Sequence, residues 1–192
     1  QPAPVVSAGP DVVACITQTA VPVLATATHA TAPLWTTTGD GTFANPHATA
    51  TQYLPGGGDL AAGLVTLVFS ASGTATCSLL TVSDSMVVSF SPLPQVDAGA
   101  DATTCASGSY MLSGAATGVA SVQWSSTGDG IFDNAALLNA IYFPGPSDNL
   151  TGSAILTLTG FGAGSCSLQM ATDDMLLNLA PVPVVNAGTD LA

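Results

Sequence analysis

The chemistry this chain can do rests on few residue types. Its twelve acidic side chains are all aspartates, it has two histidines and four cysteines, and it has no lysine or arginine. Four aspartate positions recur: Asp11, Asp101 and Asp190; Asp40 and Asp129; Asp59 and Asp148; Asp84 and Asp173. Loop carboxylates grouped with backbone carbonyls are the ligand set calcium takes, so Asp11, Asp101, Asp190, Asp40 and Asp129 form a candidate calcium set. Calcium is the only cofactor the sequence raises. An Asp-x-Asp-x-Asp-Gly loop is absent, and aspartate in turns is ordinary because it bonds its own backbone, so turns and caps are the leading reading of these residues.

His29 and His47 both lie in the first half of the chain, and the matching second-half positions, near Gly118 and at Ala136, hold no histidine. They are expected to be exposed loop residues. No Gly-x-Ser-x-Gly elbow marks a nucleophile, so no catalytic residue is assigned and the expectation is a non-enzyme. Trp35 and Trp124 are candidates for stacking on sugars, but their place on strands, with Val122 and Trp124 on one face, favours the core.

Without a fixed cation the chain cannot neutralise phosphates, which excludes nucleic-acid binding and attraction to anionic lipid, and a phosphate-loop lysine or Schiff base with them. The formal net charge is −12, yet only 6% of residues are charged and 47% are hydrophobic, ample for a core. Mean hydropathy is +0.52, but no apolar run approaches the roughly 20 residues of a spanning helix, so no membrane insertion is expected. No basic segment precedes an apolar one at Gln1, as a mature or excised fragment would show.

The elements that carry these residues come in copies. Pro4-Val5-Val6-Ser7-Ala8-Gly9-Pro10-Asp11 returns as Pro94-Gln95-Val96-Asp97-Ala98-Gly99-Ala100-Asp101, and again as Pro183-Val184-Val185-Asn186-Ala187-Gly188-Thr189-Asp190. Trp35, Gly39-Asp40-Gly41, Tyr53, Asp59, Cys77 and Met86 each recur 89 residues on, at Trp124, Gly128-Asp129-Gly130, Tyr142, Asp148, Cys166 and Met175. The expected division is a module over 1–91, a second over 92–180, and the linker and opening strand of a third over 181–192. Further copies of the module in the same chain are the expected partners.

Within each module Val65, Leu67 and Phe69, then Met86, Val88 and Phe90, alternate with residues of the other face; Ala154, Leu156, Leu158 and Met175, Leu177, Leu179 repeat the pattern. Cys77 and Leu79, like Cys166 and Leu168, read as sharing a strand face. Gly, Pro, Asn and Asp clusters such as Leu54-Pro55-Gly56-Gly57-Gly58-Asp59 read as turns. The fold class is all-β, with tandem immunoglobulin-like β-sandwich modules arranged end to end. Four cysteines allow three pairings. Bridges within the modules, Cys15–Cys77 and Cys105–Cys166, would close loops of about sixty residues and add about 4 kcal/mol each. The rival is Cys77–Cys105, leaving Cys15 and Cys166 to neighbouring modules. Persistent disulfides imply an extracytoplasmic setting.

The combination resembles the tandem modules of giant Bacteroidota cell-surface adhesins of the SprB gliding-motility type. The resemblance is carried by the Pro-x-Val-x-Ala-Gly-x-Asp opening and its cysteine (Pro94 to Cys105), Trp124-Ser125-Ser126-Thr127-Gly128-Asp129-Gly130-Ile131-Phe132, Asn139-Ala140-Ile141-Tyr142 and Asp173-Asp174-Met175-Leu176-Leu177. It implies a stalk or spacer segment of a surface filament exported by type IX secretion. It also implies O-glycosylation at Asp-Ser/Thr-apolar sequences, which Asp84-Ser85-Met86 fits at Ser85 and Asp173-Asp174-Met175 does not. A glycan- or surface-polysaccharide-binding module and a self-polymerising filament subunit are the alternatives.

Overall fold

The computed structural model describes residues 2–106, 108–183 and 188. The chain divides into two units, 1–93 and 94–192. The expected opening strand of a third module falls largely outside the described residues, and Asp190 with it.

The first unit contains β1 (Val5–Ser7), β2 (Val12–Cys15), β3 (Val21–Leu24), β4 (Thr26–Thr28), β5 (Ala30–Thr37), β6 (Thr42–Phe43), β7 (Ala50–Leu54), α1 (Gly57–Ala62), β8 (Leu64–Gly73) and β9 (Thr81–Ser91). One sheet has the order β2-β9-β8-β5, and facing strands pair as β3-β7-β6 and β1-β4. All neighbours are antiparallel except β2, which runs parallel to β9 with Val12 opposite Val88 and Cys15 opposite Ser91. Period-two alternation explains the layers: Val65, Leu67, Phe69, Met86, Val88 and Phe90 are all buried between the sheets. Trp35, Tyr53, Val21 and Val23 complete the core from β5, β7 and β3.

The second unit repeats this with β10 (Gln95–Asp97), β11 (Ala102–Cys105), β12 (Tyr110–Met111), β13 (Ala115–Thr117), β14 (Val119–Ser126), β15 (Ile131–Phe132), β16 (Ile141–Phe143), α2 (Pro146–Thr151), β17 (Ser153–Gly162) and β18 (Met170–Ala180). Its sheet order β11-β18-β17-β14 again places one parallel strand, β11, against the last strand, with Cys105 opposite Ala180. Leu112, Trp124, Tyr142, Leu156, Leu158, Met175 and Leu177 form its core. Among the described residues no helix is long and apolar enough to cross a membrane.

Two local readings are corrected. The segment holding Cys77 and Leu79 is not a strand. Residues Ala75–Cys77 make a single 3-10 turn between β8 and β9, which leaves Leu79 99% exposed, and Gly164–Cys166 and Leu168 do the same. The glycine run before Asp59 is not a turn alone: it opens the short helix α1, which Gly63 closes at φ +75 by donating its N–H to the Asp59 carbonyl at 3.0 Å. That left-handed cap needs a residue without a Cβ.

Candidate functional site

Each module has two ends that the strand directions define. At the leading end β9 begins, and the chain comes in beside it: the Ala8 N–H donates to Asp84 Oδ2 at 2.9 Å. At the trailing end β9 finishes, β8 starts and the loop after β5 turns. A cluster of hydrogen-bonded polar groups lies there.

Asp59 is its hub, 2% exposed. Its Oδ2 accepts from the Gly41 N–H (3.1 Å), the Gly56 N–H (3.0 Å) and the Tyr53 hydroxyl (2.5 Å), and its Oδ1 from the Asp40 N–H (3.2 Å). One carboxyl group thereby ties the β5–β6 turn, the end of β7 and the start of α1 together. Asp40 reciprocates, accepting from the Gly58 and Asp59 N–H groups at 2.9 and 3.1 Å. The second module repeats the clasp: Asp148, 1% exposed, takes the Gly130 N–H (3.1 Å), the Gly145 N–H (2.9 Å) and the Tyr142 hydroxyl (2.6 Å), while Asp129 takes the Ser147 and Asp148 N–H groups. Burial of a carboxyl group without a cation is tolerable because donated N–H and O–H bonds replace the lost water.

The fit is close. A Cβ on Gly39 or Gly128 would overlap the Asp59 or Asp148 carboxyl group, so these turns admit only glycine. Backbone N–H bonds, from Gly58 first and then Asp59, hold the Asp40 carboxyl below its ordinary value of 3.8. The Ser147 N–H does so for Asp129 and the Ala8 N–H for Asp84. Burial, then the bond to the aspartate, pushes Tyr53 and Tyr142 up to about 12.

The candidate calcium residues are used in the same manner. Asp11 Oδ1 accepts from the Val87 N–H and Asp101 Oδ1 from the Leu176 N–H, both at 2.8 Å, extending the β2–β9 and β11–β18 ladders by one bond each. The structure does not bring Asp11 to Asp40. Among the described residues no group of three or more His, Cys or Asp side chains is placed to hold a metal ion.

Trp35 and Trp124 are 2% exposed and donate their indole N–H groups to the Ala48 and Leu137 carbonyls at 3.1 and 3.0 Å. They are core residues. His29 and His47 are exposed, His47 with Nδ1 3.1 Å from the Pro33 carbonyl. Ser85 is exposed on β9.

The expected disulfide pairing within modules is corrected by strand direction. Cys15 sits opposite Ser91 at the trailing end, whereas Cys77 sits just before β9 at the leading end, its carbonyl accepting from the Leu80 N–H at 3.0 Å. The eleven residues of β9 separate them, about 33 Å of strand, where a disulfide needs Cα atoms within about 7 Å. Cys105, opposite Ala180, and Cys166, before β18, are parted likewise. Cys15 and Cys166 are disulfide-bonded, and Cys77 and Cys105 are free thiols.

No family model matches the chain, and no curated protein matches it in sequence. Among solved structures it is similar to Sidekick-1 immunoglobulin domains 1–5 (TM-score 0.51, 10% identity, covering 93% of this chain and 39% of that one). It is also similar to protocadherin gamma B2 extracellular cadherin domains 3–6 (0.50, 13%, 94% and 53%) and to the protocadherin gamma B4 extracellular domain (0.50, 13%, 92% and 35%). The chain thus spans about half or less of their length. These likenesses establish the fold: each unit is an immunoglobulin-like β-sandwich.

Signals for the clasp were present in the sequence, since Tyr53 and Asp59 recur at the same spacing as Tyr142 and Asp148. What they lacked was the fold that aims Gly41, Gly56 and Asp40 at the same carboxyl group.

Proposed function

We propose that this chain is a structural stalk or spacer segment of an extracellular repeat adhesin or surface filament, serving gliding or surface attachment at the cell surface of a Bacteroidota-type, type IX-secreting bacterium. The observation that carries the reading is the inward use of polar groups. The recurring aspartates spend their oxygens on their own module's N–H groups, both tryptophans are in the core, and among the described residues no buried side-chain nitrogen or oxygen lacks a partner. A site built to bind keeps convergent polar groups for its ligand; a scaffold satisfies them internally. The fold it shares with extracellular cadherin and immunoglobulin domains, and its disulfide-bonded cysteines, support an extracellular setting.

A glycan and surface-polysaccharide array probed with the purified chain tests this. The spacer reading expects no signal above that of an unrelated immunoglobulin-like domain. Saturable binding lost on substitution of an exposed aromatic residue such as Phe143 overturns it and makes the chain an adhesive module.

A further inference from the structure

Each module carries one cysteine at each end, and equivalent cysteines differ in state. At the trailing ends Cys15 is 6% exposed and disulfide-bonded, while its equivalent Cys105 is an exposed free thiol. At the leading ends Cys166 is 1% exposed and bonded, while Cys77 is a half-buried free thiol. The local backbone is the same in both copies, for Cys77 and Cys166 each close a 3-10 turn and Cys15 and Cys105 each end the strand parallel to the last one. A position that is a disulfide in one module is therefore built to be one in the other. Within the module neither thiol can reach its counterpart. Beside Cys77 stand Leu79, 99% exposed, and Leu80, 47% exposed, large apolar groups open to solvent next to the thiol.

We propose that Cys77 and Cys105 form disulfides with other modules of the same type. Cys77 takes the trailing-end cysteine of a module preceding it, and Cys105 takes the leading-end cysteine of a module following it. Leading ends pair with trailing ends because in chain order one module's trailing end is followed by the next one's leading end. The assignment rests on the repeat-array reading above. Formation of each bond removes two protons and two electrons from two thiols. A small-molecule or protein disulfide takes them up: one thiolate attacks it to give a mixed disulfide, and the second displaces the oxidant's remaining thiol.

The purified chain tests this, with oxidised glutathione as the oxidant. Without oxidant, alkylation of the folded protein should modify Cys77 and Cys105 and spare Cys15 and Cys166. With oxidant at high protein concentration, non-reducing gels should show a ladder of oligomers that collapses on reduction, and linked peptides should join Cys77 of one copy to Cys105 of another. Cys77→Ser and Cys105→Ser should each remove the ladder while leaving tryptophan fluorescence native. Peptides linking Cys15 to Cys77 or Cys105 to Cys166, dimers joined only through like cysteines, or accessible thiols that yield no ladder overturn the assignment. Failure here is separate from failure of the spacer reading: glycan binding with a ladder refutes only the latter, and silence on glycans without a ladder refutes only the former.

Discussion

Removal of the Asp59 side chain is the sharpest test of the clasp. Asp59→Ala strands the N–H groups of Asp40, Gly41 and Gly56 and the Tyr53 hydroxyl, in a site where the carboxyl group is 2% exposed. Each buried donor left without an acceptor costs roughly 1–3 kcal/mol, and those in the turn recover part of it by hydration. The sum expected is about 4 kcal/mol, at the upper end for a single substitution and a large fraction of the 5–15 kcal/mol that holds a domain of about this size. At about 4–8 °C per kcal/mol, the first module's Tm falls by roughly 15–30 °C. Asp59→Asn keeps one acceptor oxygen but turns an amide N–H2 toward another donor, so about half that loss is expected. Differential scanning calorimetry separates the modules, since Asp148 leaves the second transition in place. A loss of less than about 0.5 kcal/mol, equal to that of the exposed Asp174→Ala, would refute the claim that the clasp holds the module together.

Gly128→Ala, whose Cβ would overlap the Asp148 carboxyl group, should lower the second module's Tm alone, whereas the same change at Gly57, where nothing lies nearby, should leave the first module's Tm within a few degrees. In alkali, Tyr53 and Tyr142 have folded values raised from 10 to about 12; the stability tied to their neutral form is whole below pH 10 and is lost as pH rises toward 12, so absorbance at the tyrosinate band should climb together with unfolding, and Tyr53→Phe or Tyr142→Phe should remove the substituted module's share of that late rise. In acid, Asp40, Asp84 and Asp129 have folded values below 3.8; their contribution is present above that value and is lost as pH falls through the lower folded value, so urea midpoints should drop below pH 4 and flatten in the triple Asp→Asn variant.

What could be read from the chain beforehand follows from which interactions are local. The alternation of Val65, Leu67 and Phe69 reports burial directly, because a strand's side chains face opposite ways at each step. Trp35 and Trp124 follow from the same pattern. The cysteine pairing was illegible because spacing says nothing of strand direction: only the parallel run of β2 along β9 carries Cys15 to the far end from Cys77. The clasp was half legible. Gly39-Asp40-Gly41 marks a turn by its composition, but Asp59 lies eighteen residues beyond Gly41, and only the packing of α1 against that turn makes it the acceptor. The helix itself escaped because it is six residues long, and its closing cap, not a periodic stripe, defines it.

The parallel pairing of the short strand β2 with the last strand of its module has a mechanical consequence. Tension on the polypeptide pulls β2 toward the leading end and β9 toward the trailing end, along the strand axes. Their hydrogen bonds lie across that direction, so the patch is sheared and its bonds share the load instead of opening one after another as in a peeled hairpin. The bond from the Val87 N–H to Asp11, and from the Leu176 N–H to Asp101, lengthens the patch by one rung at its start. Each sandwich is thereby expected to resist being drawn out from its termini in shear, a property set by the strand direction that both modules share.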